Sequence, residues 1–238
     1  MKFCILIIIN LLFVKCFSQE VNINYYILGA QNNYSGWIIC KGENKKISQF
    51  YYSDICVLYK IDSLLQIANT LNSDKIEYQI IFKKDSIRVG PSYYSFESEK
   101  LFKFLKKKYR YSNYGRNDEN VKFYSGRLIY RKFKNLNNDE IYSFLLGAFG
   151  IYGTKTFDKT YKYTFYNTSS KAEVIYNLLF KINCEEIKIE ENKGPRSSSW
   201  TVYFMPSDKF KVMLHKEIKL RDKFDVRYSK FSQIALGL

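Results

Sequence analysis

The chain divides into three stretches by the way its apolar and polar residues alternate. From Val21 to about Val89, short apolar runs at Ile23–Leu28, Trp37–Cys40, Ile55–Ile61 and Ile76–Phe82 are separated by polar residues. Asn32-Asn33-Tyr34-Ser35-Gly36 and Gly42-Glu43-Asn44 supply turn chemistry at hairpin spacing, which predicts antiparallel strands packed as a small sandwich. Leu64-Leu65-Gln66-Ile67-Ala68 fits either a helix opened by Asp62-Ser63 or a further strand.

The middle stretch changes character. Ser95 or Ser98 opens a segment with Glu97 and Glu99 early and Lys106, Lys107, Lys108 and Arg110 late, the order that a helix dipole favours. Phe102, Leu105 and Tyr109 then share one helical face. Ser112–Asn120 reads as polar loop and Val121–Phe133 as a strand. Asn138-Asp139-Glu140 caps a helix running to about Ala148, which Gly147, Gly150 and Gly153 end.

In the last stretch Tyr161–Tyr166 alternates as a strand, and Ser169–Glu173 opens a helix with Val174, Ile175, Leu178 and Leu179 inward. Glu186–Ile189 returns as a strand, Glu191–Ser199 with Gly194-Pro195 turns, and Trp200–Met205 pairs back. Pro206-Ser207-Asp208 caps a second helix carrying Phe210, Met213 and Leu214, and Phe224–Tyr228 closes the sheet. The expected class is therefore α+β: a β-rich N-terminal half, then helices, then a ferredoxin-like βαββαβ domain. The expected boundaries are 1–18, 19–90, 91–155 and 156–238. The order of Tyr163–Tyr166, the helix with Ala172, Glu186–Ile189, Ser199-Trp200-Thr201-Val202, a helix and Asp225–Tyr228 resembles the ribonuclease E inhibitor B family of ferredoxin-like domains. That resemblance covers the last third and implies a small binding domain without a catalytic centre. Ile27-Leu28 and Tyr34–Ile39 also resemble the opening strands of uncharacterised exported β-domains.

The N-terminus adds a cellular address. Lys2, the apolar run Phe3–Val14 and Cys16-Phe17-Ser18 before Gln19 read as an export signal cleaved near Ser18/Gln19, which predicts a periplasmic or secreted protein. As a helix the apolar run spans roughly 18 Å, short of a hydrocarbon core of about 30 Å, so no transmembrane anchor is expected. Lys15 ahead of Cys16 disfavours lipid attachment.

The formal net charge of +15 invites an anionic partner. Its excess is mostly Lys beside abundant Ile, Asn, Tyr and Phe, which an AT-rich coding bias also produces. Beyond the leader, Cys40, Cys56 and Cys184 lack Cys-x-x-Cys spacing, so no zinc site is expected. Cys40 and Cys56 are the candidate disulfide, with isolated buried thiols as the alternative.

One histidine, His215, excludes multi-histidine metal sites, and no Gly-x-Ser-x-Gly elbow offers a serine to it. Glu185 and Glu186 beside Cys184 disfavour its thiolate. Gly147-x-x-Gly150-x-x-Gly153 lacks the spacing of a phosphate loop. Paired carboxylates such as Asp139-Glu140, Glu185-Glu186 and Glu190-Glu191 are candidates for the acid and base of glycoside hydrolysis. What survives is a basic and aromatic segment, Lys106, Lys107, Lys108, Tyr109, Arg110 and Tyr111, continued by Tyr114 and Arg116, with the charges and ring faces to hold a polyanion. The aromatic doublets Tyr51-Tyr52 and Tyr93-Tyr94 suit stacking or an interface. These observations predict a non-catalytic, cofactor-free and metal-free binding protein of the bacterial envelope or exterior. Its expected partner is an anionic envelope component or another protein, with no nucleic acid. The alternative is a carboxylate-based envelope hydrolase.

Overall fold

The computed structural model describes residues 21–31, 37–83, 92–116, 121–194 and 197–235. The leader read at 1–18, the turn at 32–36 and part of the turn at 191–199 lie outside them.

The organising feature is a helix pair. Helix α1 (Ile23–Ala30) packs along α4 (Asn138–Tyr152). Both are buried on nearly every side: Tyr25 to Ala30 in α1, and Ile141 to Phe149 in α4. They touch at backbone level. A Cβ on Gly29 would stand 2.0 Å from the Phe144 carbonyl oxygen, and one on Gly147 would stand 1.9 Å from that of Tyr26. Each glycine lies three residues after the partner that receives the other, within a repeated Leu-Gly-Ala (Leu28–Ala30 and Leu146–Ala148). Such reciprocal contact is what a twofold axis between the helices produces.

The same order of elements follows each helix. After α1 come β1 (Trp37–Cys40), β2 (Lys46–Tyr51), α2 (Ile55–Leu71), β3 (Gln79–Lys83), β4 (Tyr93–Glu97) and α3 (Glu99–Lys106). After α4 come β7 (Gly153–Lys155), β8 (Tyr161–Tyr166), α5 (Ser169–Lys181), β9 (Glu185–Lys193), β10 (Ser198–Met205) and α6 (Asp208–Ala235). Each half is αββαββα. Between them stands an additional antiparallel hairpin, β5 (Tyr109–Arg116) and β6 (Lys122–Leu128).

The second half forms one antiparallel sheet, β7-β8-β10-β9. In the first half β2-β4-β3 form the corresponding sheet, while β1 leaves it to pair with β6 in a sheet ordered β1-β6-β5. In β8, alternation turns Tyr161, Tyr163 and Phe165 inward onto the core, with Tyr163 and Phe204 rings stacked 5.3 Å apart. Burying each such ring contributes about 1.5–3 kcal/mol.

The α+β class is found, and several elements differ from expectation. Ile23–Leu28 and Ile55–Ile61 are helical, so the N-terminal half is not a small sandwich. A helix buried all round shows a continuous apolar run and no 3.6-residue stripe, which is why α1 reads as a strand. Tyr109–Arg116, expected as a helix end and loop, is β5. The strand expected at Phe224–Tyr228 to complete a βαββαβ domain is part of α6. No Gly or Pro interrupts Asp208–Ala235, and the buried stripe Phe210, Met213, Leu214 and Glu217 keeps helical spacing. Cys40 and Cys56 are not joined in a disulfide. Among the described residues, no helix is long and apolar enough to cross a membrane.

Candidate nucleic-acid interface

The C-terminal ends of the helix pair meet in a buried polar joint. The Gln31 carbonyl, one residue past α1, accepts from Lys171 Nζ and from Tyr152 Oη, each at 2.8 Å. The Gln31 side chain donates to the Ile47 carbonyl at 3.1 Å and accepts from Tyr109 Oη at 2.7 Å. One residue thus ties α1, β2, α4, β5 and α5 together. Lys171 is fully buried, its ammonium 4.7 Å from the Tyr152 ring centre. Burial lowers its pKa well below the usual lysine range. At the end of α4, Arg221 donates to the Gly153 carbonyl at 2.8 Å and lies 5.0 Å from the Phe149 ring centre. Cations at both helix C-termini are favoured by the helix dipoles.

A second buried charge lies further along the pair. Lys60 on α2 contacts Glu217 on α6, over the Tyr26 ring. Desolvation, and after it the nearby Lys216 charge, lower the Lys60 pKa to about 8.

The outward faces of the sheets are polar. Facing rows across β7-β8-β10-β9 place Thr154, Lys162, Tyr203 and Lys188 side by side, then Tyr166, Ser199 and Asn192. Lys188, Asn192 and Tyr166 are exposed, Lys162 and Tyr203 half-exposed, and Glu190 lies on this face between the two rows. In the first sheet, Tyr51, Tyr93 and Lys83 form one cross-strand row.

The basic segment read from the sequence is split by the fold. Lys106 and Lys107 end α3 in solvent. Lys108 turns inward, donating to Tyr25 Oη at 2.8 Å, and burial lowers its pKa. Tyr109 is buried at Gln31. Tyr111 is half-buried with its hydroxyl enclosed, and burial raises its pKa. Arg110, Tyr114 and Arg116 point to solvent on β5. The helix dipole pattern located α3, but the strand that follows sorts its residues two ways. Arg127, opposite Arg110 on β6, belongs to this surface and was not singled out, because only the pairing of the two strands reveals it. His215 is exposed on α6.

No family model and no curated protein matches the chain. Among solved structures, the homing endonuclease I-DmoI in complex with DNA and Ca aligns with a TM-score of 0.50 and 16% identity, over 80% of this chain and 85% of that one. The two chains share a fold. I-DmoI in complex with DNA and Mn aligns at 0.48 and 17% identity, over 83% and 92%. Mesophilic variants of I-DmoI align at 0.48 and 16%, over 82% and 94%. This likeness overturns the expectation of a non-catalytic envelope-binding protein with no nucleic-acid partner, because the shared fold is that of an endonuclease solved on DNA. It replaces the envelope-hydrolase alternative too. Divalent cations accompany I-DmoI in those complexes. Among the described residues of this chain no three His, Cys, Asp or Glu side chains converge, and the described helix ends carry Gln31, Tyr152, Lys171 and Arg221. These residues do not fit a divalent cation.

Proposed function

We propose that the protein binds double-stranded DNA, laying the outward faces of its antiparallel sheets against the duplex. The observation that carries this reading is the outward face of β7-β8-β10-β9, where Lys162 and Lys188 flank Tyr203 in one row above a row of Tyr166, Ser199 and Asn192. Lysines hold phosphates, while hydroxyl and amide side chains donate to phosphates or base edges. The chain's net charge of +15 supplies the long-range attraction, and the fold it shares with I-DmoI supports the geometry.

The test is fluorescence anisotropy of a labelled 30-base-pair duplex titrated with protein across a salt series. Binding should weaken steeply with salt. Lys162→Glu with Lys188→Glu should weaken it at least about tenfold, and more than Lys211→Glu with Lys219→Glu on the exposed side of α6. Absence of binding at low salt, or equal loss from both pairs, would refute the reading.

A further inference from the structure

The β5–β6 hairpin has no counterpart in the second half of the repeat, so its surface calls for a separate explanation. Arg110 and Arg127 stand directly opposite each other across the two strands, and both are exposed. Directly opposed residues project from the same face, and like charges there repel. The next row on that face is Ser112 opposite Ser125. Lys132 adds a third positive charge nearby, its Nζ resting on the carbonyls of Lys107 and Tyr109 beside Arg110. None of the ion pairs among the described residues uses Arg110, Arg127 or Lys132.

A charge on an unpaired strand edge protects against aggregation, and that accounts for Arg110 on β5. It does not account for Arg127, because β6 is the central strand between β1 and β5. Two facing guanidinium groups without an acid are relieved by an anion whose several oxygens accept from both at once. We propose that Arg110 and Arg127 together clamp one phosphate of the DNA backbone, so that the hairpin extends the duplex-binding surface beyond the two repeated halves. The proposal rests on the duplex-binding reading above.

The experiment is a double-mutant cycle with Arg110→Ala, Arg127→Ala and both together, read by the same anisotropy salt series and by thermal melting without DNA. One shared phosphate predicts that each single variant weakens binding about five- to tenfold and lowers the salt slope by about one. The double variant should then be no more than about twofold worse than the weaker-binding single. In free protein Arg127→Ala should raise Tm by about 1–3 °C by removing the repulsion. Multiplying effects with a slope loss of about two would overturn the shared clamp in favour of separate contacts. So would a fall in Tm, which would make the arginine structural. Unchanged binding, while Lys162→Glu with Lys188→Glu still weakens it, would overturn the clamp and leave the duplex reading standing. Failure of the unaltered protein to bind duplex would overturn both.

Discussion

Gly29→Ala and Gly147→Ala should each damage this protein more than any ordinary glycine replacement in a helix. A new Cβ would stand 2.0 Å from the Phe144 oxygen or 1.9 Å from that of Tyr26, whereas a carbon and an oxygen need about 3.3 Å. Relief requires α1 and α4 to separate by about 1.3 Å, and a gap of 0.5–1 Å already forfeits a quarter to a half of each dispersion contact. Because backbone, not a movable side chain, blocks the way, the cost should reach or exceed the top of the 1–3 kcal/mol overpacking range, about 3–5 kcal/mol. It must also outweigh the gain of about 1 kcal/mol from replacing glycine by alanine in a helix. The net loss of about 2–4 kcal/mol corresponds, for a chain of this length, to a fall in Tm of about 4–16 °C. Gly150→Ala in the same helix is the control. Its Cβ would meet the movable Val57 Cγ2 at 2.8 Å, so the helix gain and the adjustment should nearly cancel. Thermal melting by circular dichroism reads all three. If Gly29→Ala or Gly147→Ala melts within 2 °C of Gly150→Ala, the backbone contact between the helices is not as described.

The buried lysine at the joint gives a pH signature. The unfolded chain holds the Lys171 proton up to about pH 10.4, while burial lowers the folded value, so the unfolded state binds more protons in between and stability rises with pH through that window. Lys171→Met should abolish part of the rise in Tm between pH 8 and pH 9.5, and the Gln31 carbonyl keeps its bond from Tyr152; an unchanged profile would refute the downward shift of the Lys171 pKa. Glu217→Gln should destabilise by about 3 kcal/mol in urea unfolding at pH 7, because it leaves the half-buried Lys60 beside Tyr26 without a carboxylate. A loss below about 0.5 kcal/mol would mean that the pair behaves as a surface contact.

The second half was largely legible because its elements carry local signals. Tyr161–Tyr166 alternates cleanly, and the Asn137 and Glu140 side chains close a capping box at the start of α4. In the first half the same architecture was hidden. Helix α1 begins with an Asn22 cap, yet its apolar run has no polar face to betray the helical period. The pairing of Arg110 with Arg127 is a long-range fact that neither residue's neighbours encode. Lys171 reads as a helix-start lysine bound for solvent. Only the carbonyl of Gln31, 140 positions earlier in the chain, explains its burial. The repeated Leu-Gly-Ala stands in the sequence, but without partner distances Gly147 reads as a helix terminator and Gly29 carries no signal.

The mutual seating of Gly29 and Gly147 also bears on how the chain is made. Synthesis delivers α1 long before α4, so a growing chain presents an apolar helix whose glycine groove has nothing to receive it. A break in the connection at 134–136 should therefore yield two fragments that are each poorly folded alone and recover structure when mixed. Neither half owns a finished core: the interior is completed only when the second copy of the motif arrives.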